Sequence, residues 1–259
     1  MANTSVHSRW ETQNLVFYSG ATRLKSIPSM QVSSNPLLVT NVIHPGLEWG
    51  VDDSSHFMSL SEDEWTLIKT DAGVDGAEVH SIGDAHGGVL VLTTNDADED
   101  ETGKQRDAET ILLDGNHGGT WFAARIKVDD ADKCEILVGL SIRDTKFGVH
   151  HTANGGVTDG VYIRSLHNTA AMLGVVEKDS AESTVALGNL ADNTWVWVGF
   201  YVDADGTTQF QVNGVDTGAA VVATNTPDDE ALALAFVVQT GEAVAHTMLV
   251  DAYRLLAQM

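Results

Sequence analysis

The chain has 259 residues, the length of one large domain or two small ones. Hydrophobic residues make up 43% and charged residues 20%, ordinary globular usage that excludes a disordered chain. With 37 acidic residues against 14 basic and a net charge of -23, the chain is a poor match for duplex nucleic acid or anionic membrane, which both need clustered Lys and Arg.

Residues 1–47 open the chain with a different balance: Arg9, Arg23 and Lys25 against Glu11, net +2. Residues 48–259 hold 11 bases and 36 acids, net -25. Pro28, Pro36 and Pro45 also fall in the first stretch, and proline restricts both itself and the residue before it. The sequence therefore predicts an extended arm or small subdomain over 1–47 and a main domain over 48–259. The arm either docks on a more acidic surface or neighbouring subunit, or folds back as a strand on its own domain. Met1-Ala2-Asn3-Thr4-Ser5 lacks the apolar core of a secretory signal. No run approaches the ~18 apolar residues of a membrane span.

The rest reads as strands separated by Gly, Asp and Asn clusters. They are predicted over 64–70, 89–94, 110–113, 120–128, 135–142, 160–164, 171–177, 183–187, 195–202, 207–213, 231–239 and 246–257. Ser61-Glu62-Asp63-Glu64 fits a helix capping box, but Trp65, Leu67 and Lys69 alternate with Thr66, Ile68 and Thr70, which favours a strand after a turn. In 120–128, Phe122, Ala124, Ile126 and Val128 share one face, with Arg125 and Lys127 on the other. In 195–202 both faces are apolar, the pattern of a central strand covered on both sides. Asp203-Ala204-Asp205-Gly206 and Asn213-Gly214 read as tight turns. Residues 247–259 suit either helix or strand, and a closing strand would complete the fold. About a dozen short strands at this spacing predict an all-β, antiparallel two-sheet sandwich.

The chemistry is sparse. Nucleotide-binding glycine motifs are missing, so no cofactor is expected. Gly139-Leu140-Ser141-Ile142-Arg143 echoes a serine nucleophile elbow but lacks its final glycine. Glycoside hydrolysis needs two carboxylates about 5–9.5 Å apart, and no strand shows acids alternating with apolar residues. The acidic loop 95–109 carries Asp96, Asp98 and Asp100 at calcium-loop spacing, but Glu101 stands where the loop needs glycine. It is read as a solvated loop, with those three as a weak cation site. A single cysteine, Cys134, is expected to rule out an internal disulfide framework and a cysteine-based zinc site. It reads as a small buried residue, and most of the ten histidines as surface or turn residues. The aromatics read as core or subunit contacts. Asn116-His117-Gly118-Gly119 and Asn154-Gly155-Gly156 are loops that a lectin groove would use.

Three segments, Gly160-Val161-Tyr162-Ile163-Arg164, Trp195 through Asp203, and Gln209-Phe210-Gln211-Val212-Asn213-Gly214, resemble the concanavalin A-like, laminin-G-like jelly roll. Met248-Leu249-Val250-Asp251-Ala252-Tyr253 is similar to its last strand. The order of Trp10 with Asn14–Tyr18, then Gly87–Asn95, Val138–Ile142 and Thr226–Glu230 resembles virion structural proteins of tailed phages, often capsid decoration proteins. That resemblance implies a non-enzymatic cement protein on the virion capsid surface, made in the host cytoplasm. Its partners would be the major capsid protein and copies of itself, a trimer suiting a three-fold position. Trp10, Leu15, Phe17, Tyr18, Arg23 and Lys25 in the arm are the expected contacts. The alternative is a carbohydrate-binding virion adhesin or fibre module.

Overall fold

The computed structural model describes residues 18–19, 22–23, 49–57, 60–61, 63–70, 79–83, 88–115, 118–144, 147, 156–165 and 168–258. Two antiparallel sheets face each other. The first runs β13 (Ala181–Asn189), β12 (Ala171–Lys178), β11 (Gly160–Ser165), β10 (Cys134–Ser141), β17 (Ala231–Thr240), β7 (Glu101–Arg106) and β4 (Trp65–Thr70), and β8 (Ile111–Leu112) also pairs β17. The second runs β16 (Val215–Asp216), β15 (Thr208–Val212), β14 (Val196–Val202), β9 (Thr120–Val128), β18 (Thr247–Gln258), β6 (Val89–Thr93) and β5 (Val79–Gly83), and β3 (Trp49–Ser55) pairs the far half of β18. β1 (Tyr18–Ser19) and β2 (Thr22–Arg23) pair with each other. All the predicted strands form, including the closing one, so the expected all-β jelly-roll sandwich stands.

The centre of each sheet joins strands remote in sequence. β9 pairs β18, with Phe122 opposite Leu255, and β10 pairs β17, with Val138 opposite Phe236. Register then decides the core, because successive residues point to opposite faces. Phe122, Phe200, Phe210, Phe236 and Tyr253 all turn inward and are fully buried. Phe236 meets Tyr253 at 5.5 Å and Phe57 at 6.0 Å between ring centroids, and Phe122 meets Phe200 at 5.2 Å.

Two sequence expectations need correction. The strand covered on both faces is not β14. Trp195, Trp197 and Tyr201 lie on the outward side of the second sheet and are only half-buried. β10, β11 and β17 are the doubly covered strands. Phe147 and Val157, from the connection after β10, pack on Ile68, Leu137, Tyr162, Val175 and Val237 across the first sheet's outer face. The acidic stretch is also not a loop throughout. Its second half is β7, inserted between β17 and β4. The sequence Glu-Thr-Gly-Lys-Gln-Arg has a single β-branched residue, Thr102, a weak signal for a strand. Gly103 is required there, because a Cβ would lie 2.6 Å from the Phe236 carbonyl oxygen. The arm-to-domain boundary and residues 24–48 lie outside the described residues.

Candidate functional site

A cleft of about 310 Å3 opens where the β4–β7 edge of the first sheet meets β3 of the second. Its floor is apolar, made by Ile111, Leu234 and Leu255, and its rim carries Asp53, Asp63, Glu64, Arg106, Asp107 and Thr110. That volume is at the small end of ligand pockets, which run from about 300 to 1,000 Å3.

Local structure places each rim group. Asp53 stands opposite Leu255 across the β3–β18 pair, so its side chain turns toward the space between the sheets. Arg106 ends β7 opposite Trp65 and turns the same way. Its guanidinium then spans the two sheets. Nε donates to Asp53 Oδ2 at 3.0 Å and Nη2 to Asp53 Oδ1 at 2.7 Å, a two-point pairing. Nη1 donates to Glu64 Oε2 at 2.8 Å, and Nη2 also donates to the Tyr253 hydroxyl at 2.9 Å. Tyr253 donates in turn to Asp53 Oδ1 at 2.8 Å. The guanidinium carbon lies 4.4 Å from the Trp65 ring centroid, an added cation–π contact. Burial opposes the Arg106 charge, but Asp53, Tyr253 and Glu64 outweigh it and hold the guanidinium above its ordinary value. Burial, reinforced by Asp53, pushes the Tyr253 phenol up.

Beside this bridge, the Asp107 carboxylate accepts from the Thr66 hydroxyl, and Arg143 donates to the Asp107 carbonyl at 3.2 Å. Asp63, Glu64 and Thr110 are exposed at the mouth. Four rim carboxylates face two guanidiniums, Arg106 and, paired with Asp107 at 3.5 Å, Arg143, which leaves a net -2. Such a rim accepts hydrogen bonds from hydroxyl or ammonium donors and repels anions.

A second surface lies on the outer face of the second sheet. Tyr201 stands opposite Trp121, and Trp197 opposite Arg125. Arg125 and Lys127 sit 4.8 and 5.2 Å from the Trp195 ring centroid. This half-buried aromatic strip carries two cations on an otherwise acidic body.

The expected site residues are scattered. Trp10, Leu15, Phe17 and Lys25 lie outside the described residues. Tyr18 and Arg23 are partners across the β1–β2 pair. Asp96 and Asp98 are exposed, whereas Asp100 is buried and accepts from the Ala97 N–H at 3.0 Å. Ser141 is buried, and its hydroxyl accepts from Gln105 Nε2 at 3.1 Å. Among the described residues, the group able to hold a metal ion is instead Asp129, Cys134 and His246. Sequence reasoning missed that group and the Arg106 bridge, since neither follows a local spacing. The one available signal was Arg106 itself, a base standing in an acidic run.

The fold is an antiparallel two-sheet jelly roll of the concanavalin A-like, lectin type. No protein-family model and no curated protein matches this chain. Solved structures do share the fold. The conserved carbohydrate esterase of Shiga toxin-encoding bacteriophage phi24B aligns at 15% identity and TM-score 0.51, over 80% of this chain and 97% of that one. The Emp47p carbohydrate recognition domain aligns at 10% identity and TM-score 0.54, over 80% and 95%. Peanut lectin aligns at 12% identity and TM-score 0.54, over 80% and 97%.

Proposed function

We propose that this chain is a non-enzymatic carbohydrate-binding module of a virion, and that the Arg106 cleft is its sugar site. The observation that carries the reading is the cleft: an apolar floor under a rim of carboxylates, sized for one or two sugar rings, in a lectin-type sandwich. Carboxylates held by Arg106 are preoriented to accept pairs of sugar hydroxyls, and the floor receives the C–H face of a ring. The rim's charge selects neutral or amino sugars over sialylated or phosphorylated ones. The names of two fold neighbours, a lectin and a carbohydrate recognition domain, support a carbohydrate ligand, and the phage neighbour is in keeping with a virion setting. Binding is favoured over ester hydrolysis because Ser141 is buried and hydrogen-bonded to Gln105 rather than lining the cleft.

The test is a glycan array probed with the full chain, repeated with Glu64→Gln and Asp107→Asn. Saturable binding to neutral or amino glycans, weakened at least tenfold by these variants, is expected. A flat array overturns the sugar reading, and binding that both variants leave intact overturns the cleft.

The second reading is capsid cement on a tailed-virus head, formed as a homo-oligomer. It is favoured by the Trp121–Trp197–Tyr201 strip with Arg125 and Lys127, since Trp, Tyr and Arg are the residues enriched at protein interfaces. The +2 segment 1–47 would add a second adhesive element. Co-sedimentation with undecorated shells at fixed stoichiometry would support it, and its absence would leave only the sugar reading.

A further inference from the structure

The end of the sandwich that holds Asp129, Cys134 and His246 joins the two sheets. Asp129 follows β9 and His246 precedes β18, both in the second sheet, while Cys134 begins β10 in the first. Their backbones are pinned. Asp129 N–H donates to the Thr247 carbonyl at 3.1 Å, Thr94 N–H to the His246 carbonyl at 3.0 Å, and Cys134 N–H to the Asp130 carbonyl at 2.9 Å. The side chains converge. Cys134 Sγ lies 3.1 Å and His246 Nδ1 3.4 Å from the same oxygen, Asp129 Oδ1. All three donor atoms fall within 4.8 Å of one another.

His246 supplies the independent observation. The residue is 5% exposed, and its Nδ1 is buried with no hydrogen-bond partner. Its other ring nitrogen, Nε2, faces Glu242 Oε1 at 3.3 Å. If Nε2 carries the proton toward Glu242, the Nδ1 lone pair is left buried with no donor, 3.4 Å from Asp129 Oδ1. A cation between them supplies the missing partner. A carboxylate on the outer nitrogen is also how metal-bound histidines are commonly oriented.

We propose that Asp129, Cys134 and His246 form a divalent transition-metal site, for zinc above all, that ties the two sheets together. One sulfur, one nitrogen and one oxygen donor suit zinc, and a tetrahedral shell with Zn–S about 2.3 Å and Zn–N or Zn–O about 2.0–2.1 Å sets ligands roughly 3.3–3.6 Å apart. The His246–Asp129 distance of 3.4 Å already matches that spacing, and Cys134 Sγ, at 3.1 Å from Oδ1, would move outward by a few tenths of an ångström. Asp129 is 39% exposed on its side chain, so a fourth position opens to water. Binding converts the Cys134 thiol to a thiolate and releases one proton to solvent. The metal displaces that proton, so affinity rises with pH.

The full chain, stripped with chelator, is titrated with Co2+ and then Zn2+. One equivalent of Co2+ should produce thiolate-to-cobalt charge-transfer absorption that Zn2+ abolishes, and Zn2+ should raise the melting temperature. Cys134→Ser should remove the band and weaken zinc at least about 100-fold, and Glu242→Gln should weaken it about tenfold. Asp98→Asn, in the other acidic cluster, should change nothing. Absence of the band in the unmutated chain overturns the proposal whether or not any variant folds. So does zinc affinity that Cys134→Ser leaves unchanged.

Discussion

The two sheets are built from similar strands but are covered differently. The first is covered on both faces at its centre, by the other sheet within and by Phe147 and Val157 without, and β10 and β11 are buried along their whole length. The second is covered on its inner face, while Trp195, Trp197 and Tyr201 stay half-exposed outside β14. Yet β14 has the more continuous apolar sequence of the strands that face solvent. Strand composition therefore reports how much apolar surface there is, and tertiary neighbours decide which part of it loses water. Apolar surface left open in a folded sheet is surface available to a partner.

The comparison predicts a graded set of losses. Phe236→Ala opens the space between the sheets, where its ring meets Phe57, Trp65, Phe122 and Tyr253. A cost of about 3–5 kcal/mol in denaturant unfolding is expected. Phe147→Ala, on the covered outer face, should cost about 2–3 kcal/mol, because it sits in the smaller of the two apolar clusters. A cost below about 0.5 kcal/mol would show that this outer layer does not behave as core.

A second contrast is alkaline. Burial, with Glu177 beside it, pushes the Tyr162 phenol up on the covered face of the first sheet, and Tyr253 is raised between the sheets. Their folded values exceed the unfolded value of about 10, so the folded state holds these protons longer. Stability is then fully present below pH about 10 and falls above it, by up to about 1.4 kcal/mol per pH unit for each phenol. Ultraviolet titration of the folded chain should show Tyr162 and Tyr253 ionising well above pH about 10, or only on unfolding. Tyr253→Phe should remove its share of the alkaline loss. Tyrosines ionising together in the folded chain would break the contrast.

The smallest effect belongs to the open face. Trp197→Ala should cost no more than about 1 kcal/mol, since its ring is half in water before the change. The same variant should weaken shell association if the aromatic strip is the contact, and should leave glycan binding at the Arg106 cleft unaltered. A loss like that of Phe236→Ala would mean that this face is core as well.

Much of the fold was legible. Alternation in 120–128 identified Phe122, Ala124, Ile126 and Val128 as the inward face, and the turn at Asp203–Gly206 closes as expected, with the Gly206 N–H donating to the Asp203 carbonyl at 2.8 Å. β7 was hidden because its burial comes from its neighbours: Glu101, Thr102, Lys104 and Gln105 are buried although their side chains are polar. The candidate sites were less legible still. Asp53, Arg106 and Tyr253 are 53 and 147 residues apart in sequence, yet they share one hydrogen-bonded group.

The sequence alone determined most of the strands, the tight turns, the acidic balance and the antiparallel sandwich, because these depend on residues two to ten positions apart. The tertiary structure decided which sheet is covered twice, where the Arg106 cleft opens, and that Cys134 meets Asp129 and His246. Those outcomes depend on the pairing of β18 with β3 and β9, and on how the sheets face each other. Register between remote strands sets them, and no local period encodes it.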